Sequence, residues 1–290
     1  MLNEYRSKHY MTLLSAVAVL LAPVLSCGQE SHVGNMTGHA AAGKKIYRRF
    51  CIYCHGERGD GQGENAPYLN PVPRELNPLP RDFTAAIFKC RSTVTGNLPT
   101  DEDLYDTLMR GLNSSAMPSW RALTKQDRVN LIAYIKSFSP RFKEEKPGPT
   151  VTIPPEPAVT MESIVHGSQL FQKMECWKCH GQAGRGDGPS ASTLTDSKDQ
   201  PIRPYNFAEG SRFKCGETNE DLYRIFITGL DGTPMPSFAD VIKPNEAWDL
   251  VHFLRTLQVN RKSKENDILK AAGGHIPAPA AEGKGSGGGE

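Results

Sequence analysis

The stretch Cys51-Ile52-Tyr53-Cys54-His55 recurs as Cys176-Trp177-Lys178-Cys179-His180, 125 positions further on (176 − 51 = 125). A C-x-x-C-H pattern is the sequence form of covalent c-type haem attachment. Its two thiols are spaced to form thioether bonds to the haem vinyl groups, and the next histidine can coordinate the iron from one face. Two rival readings of paired cysteines fit less well. A thioredoxin-like site needs a βαβ setting, and a zinc ribbon separates its pairs by about 15–20 residues. The reading is therefore two covalently bound haem c groups.

The sequence around each motif repeats as well. Gly43, Ile46, Tyr47 and Phe50 precede the first motif at i, i+3, i+4 and i+7, and Gly167, Leu170, Phe171 and Met174 precede the second. That spacing is one face of an amphipathic helix, with a glycine that lets another backbone come close. A second helix in each unit opens on a capping box, Thr100 with Asp103 and Thr218 with Asp221. Gly111 and Gly229 close these helices. A third helix carries Leu131, Tyr134, Ile135 and Phe138 in the first unit, and Ala247, Leu250, Phe253, Leu254 and Leu257 in the second. Packing of this last helix on the glycine face would close each unit.

These repeats set the expected organisation. Residues 37–140 and 158–260 form two haem domains, and 141–157 form a proline-rich, extended linker. Residues 28–36 read as loose, and 262–290 as a disordered tail rich in Gly, Ala and Pro. The length of 290 residues fits two domains. A hydrophobic fraction of 38% is low for two ordinary cores. Part of each core is then cofactor, and the haem-free chain is expected to fold poorly.

Charge bounds the partners. Lys+Arg 34 against Asp+Glu 32 leaves +2, which implies no nucleic-acid binding. The first unit holds 14 basic and 10 acidic side chains and the second 10 and 13, so the two could prefer partners of opposite sign. Residues 1–26 read as an export signal, with Arg6 and Lys8 before an apolar run from Met11 to Leu25. That run is shorter than the roughly 20 residues of a membrane span. Val24-Leu25-Ser26-Cys27 resembles a bacterial lipoprotein box, although Leu25 is larger than usual there. Lipidation at Cys27 would tether the chain to a membrane surface; plain cleavage after Ser26 is the alternative.

Each iron needs a ligand on its second face. Met117 in Ala116-Met117-Pro118-Ser119-Trp120 and Met235 in Pro234-Met235-Pro236-Ser237-Phe238 occupy matched positions after the middle helices. Met109, Met174, His166 and His252 have no such counterpart and read as incidental. With N-terminal helix, C-x-x-C-H, late Met-Pro loop and C-terminal helix, each unit resembles a class I cytochrome c domain. The chain resembles the di-haem cytochromes c of bacterial respiratory chains. The resemblance implies an all-α fold, His55 and Met117 on one iron, and His180 and Met235 on the other. It also implies a proline carbonyl that orients each histidine, with Pro67 a good match and Pro189 a poorer one.

Seven cysteines, less four for haem and one for lipid, leave Cys90 and Cys215 at the same offset from their motifs (90 − 51 = 39; 215 − 176 = 39). They form either a disulfide across the two units or two buried thiols. Lys89, Arg91, Arg212 and Lys214 beside them are candidates for pairing with haem propionates or are simply solvated. The expected function is single-electron transfer between redox partners, as a free carrier or in a larger respiratory complex, outside the cytoplasmic membrane. A di-haem enzyme of thiosulfate-dehydrogenase-like or peroxidase-like kind is the alternative. It would need one accessible iron or a cysteine ligand.

Overall fold

Thr100 and Thr218 start helices for the same reason. Each hydroxyl accepts the backbone N–H of Asp103 or Asp221, and that aspartate accepts the threonine N–H in return. In the computed structural model, which describes residues 29–69, 79–113, 115–209, 213–258 and 262–276, this device begins the middle helix of both repeats. The first repeat contains α1 (Ala40–Phe50), α2 (Ile52–His55), α3 (Asp101–Arg110) and α4 (Lys125–Lys136). A short α5 (Arg141–Glu144) follows. The second repeat contains α6 (Met161–Lys173), α7 (Trp177–His180), α8 (Asn219–Thr228) and α9 (Pro244–Leu257). Thr218→Ala is expected to cost about 1 kcal/mol through loss of the N-cap. Urea unfolding of the intact protein against the parent checks it.

Two hydrophobic cores form, one from each repeat. In the first, Tyr47 meets Tyr134 edge-on at 5.2 Å; in the second, Phe171 meets Phe253 at 5.3 Å. These contacts seat α1 on α4 and α6 on α9, with Gly43 against the Asn130 backbone and Gly167 against the Asp249 backbone. A side chain at either glycine would hold the helices apart. Among the described residues the fold is all-α apart from one small sheet.

That sheet corrects one expectation. Residues read as loose form an antiparallel hairpin of β1 (Glu30–Val33) and β2 (Met36–His39), turned at Gly34. The hairpin is pinned to α4: Ser31 donates to the Val129 carbonyl at 2.6 Å, and the His39 N–H reaches Asn130 Oδ1 at 3.0 Å. A second correction falls in the presumed disordered tail, where Lys264–Ala271 form α10. Ser263 caps it, and Asn266 Nδ2 donates to the Gln258 carbonyl at 3.0 Å, docking it on the end of α9. Residues 1–28 and 277–290 lie outside the described residues, so the export signal, Cys27 and the last part of the tail do too. No helix among the described residues is long and apolar enough to cross a membrane.

The linker is extended after α5, and it is also anchored. Val151 N–H donates to the Ser92 carbonyl at 2.7 Å, and Thr150 bridges Thr93 as in a strand pair. Glu156 then accepts from Asn219 Nδ2 at 2.7 Å and lies 3.2 Å from His252 Nε2. His252 is fully buried and its Nδ1 lies 2.8 Å from Ser163 Oγ, while His166 pairs with Asp249. Both histidines thus tie the second repeat together.

The two repeats are also joined directly. Cys90 and Cys215 are linked as a disulfide. Arg91, its side chain wholly buried, donates to the Thr228 carbonyl and to Asp231 at 2.7 Å. Asp231 also accepts from Thr95 and Gly96, Lys198 meets Asp82 at 2.6 Å, and Asn113 donates to the Phe213 carbonyl.

Candidate haem sites

Each C-x-x-C-H motif folds as one helical turn set directly after a long helix. Cys51 N–H donates to the Tyr47 carbonyl and Cys176 N–H to that of Phe171. His55 and His180 N–H close the turns on Cys51 and Cys176, both at 2.9 Å. Gly56 and Gly181, with φ of 78° and 77°, then reverse the chain. Burial pushes the Cys51 thiol up to about 12 and the Cys176 thiol up to about 11. Among the described residues no group of three His, Cys, Asp or Glu converges as a metal site.

The imidazoles are held alike. His55 Nδ1 lies 3.0 Å from the Arg81 carbonyl oxygen, and His180 Nδ1 lies 3.1 Å from that of Tyr205. Burial lowers the pKa of both rings, that of His55 to about 4, against the opposing pull of these carbonyls. A neutral ring whose Nδ1–H donates leaves Nε2 with its lone pair free, the arrangement an iron ligand requires. Pro67 and Pro189 do not play the expected part. The carbonyls belong to Arg81 and Tyr205, each directly after a proline, Pro80 and Pro204. The next residues but one, Phe83 and Phe207, lie against the rings at 4.4 and 4.9 Å between centroids. Their N–H groups anchor to the Gly59 and Gly184 carbonyls, both at 2.7 Å. The sequence signal was the shared Pro-x-Asp/Asn-Phe pattern at 80–83 and 204–207.

The methionine loops match bond for bond. The Met117 carbonyl accepts from Leu112 N–H at 3.1 Å, and the Met235 carbonyl accepts from Leu230 at 3.0 Å. Ser115 Oγ and Thr233 Oγ1 each accept the methionine N–H at 3.2 Å. Ser119 and Ser237 Oγ donate back to the Met109 and Ile227 carbonyls of the preceding helices. A thioether fixed at both flanks can be offered to a metal rather than only fill space.

In the first repeat these parts share one cleft of about 1220 Å³, counting the space open to solvent. Cys51, Cys54, His55 and Met117 line it, with Tyr47, Phe83, Leu104 and Leu108 as apolar walls. Two polar groups in its lining make no hydrogen bond among the described residues. Trp120 Nε1 is buried without an acceptor, and Lys89, only 8% exposed, makes no hydrogen bond or ion pair. Haem c fits this inventory: thiols for the vinyls, nitrogen and sulfur for iron, apolar walls for the ring, donors for the propionates. Of the other cationic candidates, Arg91 is committed to Asp231, and Arg212 lies outside the described residues. Cys90 and Cys215, bonded to each other, are unavailable as iron ligands.

Helical repeats built on this motif define c-type cytochromes, and the comparisons agree. The family described as cytochrome c matches residues 164–258, and that described as cytochrome c oxidase, cbb3-type, subunit III matches residues 38–135. A solved chain of the Kuenenia stuttgartiensis reducing HAO-like protein complex is 42% identical, with a TM-score of 0.70, over 74% of this chain and 95% of that one. The cytochrome bc1 complex cytochrome c subunit of Mycobacterium leprae (strain TN) is 25% identical over 280 residues, 93% of this chain and 79% of that protein. The chain belongs to the cytochrome c family: it is an electron-transfer protein with covalently bound haem c.

Proposed function

We propose that this protein is a di-haem cytochrome that passes single electrons between redox partners as a subunit of a larger respiratory complex, outside the cytoplasmic membrane. The observation that carries the reading is the pair of matched methionine loops, each following a C-x-x-C-H turn with its histidine already oriented. His55 and Met117 serve one iron, His180 and Met235 the other. Bound haem c supplies a one-electron couple, and methionine–histidine ligation raises its potential. The chain's own part is to attach the ring through Cys51, Cys54, Cys176 and Cys179, exclude water from it and hold both axial side chains in place. A histidine and a methionine held for each iron would leave no position for a substrate, which favours a carrier over an enzyme. Complex membership is supported by the relatives, whose names place them in assemblies. Cys27 is the site proposed for a lipid anchor, and the mass of the mature N-terminal peptide tests it.

The experiment is a redox titration with optical spectra on the native haem-loaded protein. Two low-spin haems with methionine-ligand signatures are expected, and a mass two haems above the polypeptide. Met117→His should lower one midpoint potential by something on the order of a hundred millivolts, within the roughly 0.8 V range open to axial ligands, and leave the other in place. High-spin or thiolate signals in the parent protein would instead establish an enzyme-like iron.

A further inference from the structure

The cleft of the first repeat takes a side chain from the second. Lys214 lines it, alongside Lys89 and Arg81. The disulfide explains how: each lysine directly precedes its bonded cysteine, and the two cysteine Cα atoms are 5.1 Å apart. Arg81 comes from the same turn whose carbonyl holds His55. Neither lysine makes a hydrogen bond or a close ion pair among the described residues, and the one acid that acts on Lys89 is Asp196, which Arg81 shares. The acids that act on Arg81 are Asp196 and Asp82, and Asp82 is already engaged by Lys198. Three cations gathered in a largely shielded cleft with too few acids to balance them are costly. Such a cluster persists where an anion completes it, and a porphyrin held at Cys51 and Cys54 brings two carboxylates to this cleft.

We propose that Lys214 completes the first haem site from the opposite repeat, forming with Lys89 and Arg81 a cationic cradle for the propionates. The proposal rests on the di-haem reading above. Its consequence is electrostatic. Oxidised iron carries one more positive charge than reduced iron, so a nearby cation favours the reduced form, and removing Lys214 lowers the potential of that haem.

The test is Lys214→Met in the full-length, haem-loaded protein, titrated beside the parent and Lys214→Arg. The expected result is a roughly tenfold fall in the reduction equilibrium constant of one haem, about 59 mV for a one-electron couple. The couple that moves is the one shifted by Met117→His and not by Met235→His, and Lys214→Arg restores most of the change. If Lys214→Met does not assemble, Lys214→Gln carries the same expectation. Two haems with both couples within twofold of the parent would overturn the proposal while leaving the di-haem reading intact. So would movement of the Met235-linked couple alone. A parent protein that holds fewer than two haems overturns both.

Discussion

Gly167→Ala should lower the stability of the second repeat by about 2–3 kcal/mol, and Gly43→Ala should do the same to the first. An added Cβ at Gly167 would fall within contact distance of the Asp249 carbonyl, 2.5 Å from its carbon, and one at Gly43 would lie 2.6 Å from the Asn130 carbonyl carbon. These obstacles are backbone, so no side-chain rotation relieves them. Alanine also favours helix over glycine by about 1 kcal/mol, which offsets only part of the clash. The α6–α9 and α1–α4 crossings must widen, pulling Phe171 from Phe253 and Tyr47 from Tyr134. Denaturant unfolding of the haem-loaded variants provides the measurement. A variant as stable as its parent would show that the crossings have slack.

Replacing Cys90 and Cys215 together by serine is expected to cost about 3–5 kcal/mol. The bridge closes a segment of 125 residues, for which loop entropy alone gives about 5 kcal/mol. Arg91–Asp231, Lys198–Asp82 and the linker strand still hold the repeats in the variant, so the observed loss should fall somewhat below that figure. Reductant applied to the parent should reproduce the effect, and the double variant should be insensitive to it. Non-reducing peptide mapping that finds both thiols free in the native protein would remove the basis of this expectation.

Much of this architecture was legible because it is encoded locally. C-x-x-C-H, the threonine capping boxes and the 3–4 spacing before each motif are short patterns with one physical meaning, and each appears twice. The histidine partners were harder. Arg81 and Tyr205 act through backbone carbonyls, which leave no side-chain signature, and Pro67 was the nearer and more obvious candidate. Lys214 could be flagged as a propionate candidate from its neighbour Cys215, but its delivery into the other repeat's cleft depends on how the halves pack. The Glu30–His39 hairpin was hidden by short strands without clear alternation. In α10 only Ile268 and Leu269 are strongly apolar, and its docking relies on Asn266, a polar contact that hydrophobic periodicity does not register.

Covalent bond, buried ion pair and pinned linker together make the junction between the repeats stiff. On the di-haem reading, the chain then behaves as a wire of set length rather than two beads on a string. A junction held in this way would keep the gap an electron crosses inside the molecule nearly constant. Control of throughput passes to the encounters at either end, where donor and acceptor arrive and leave.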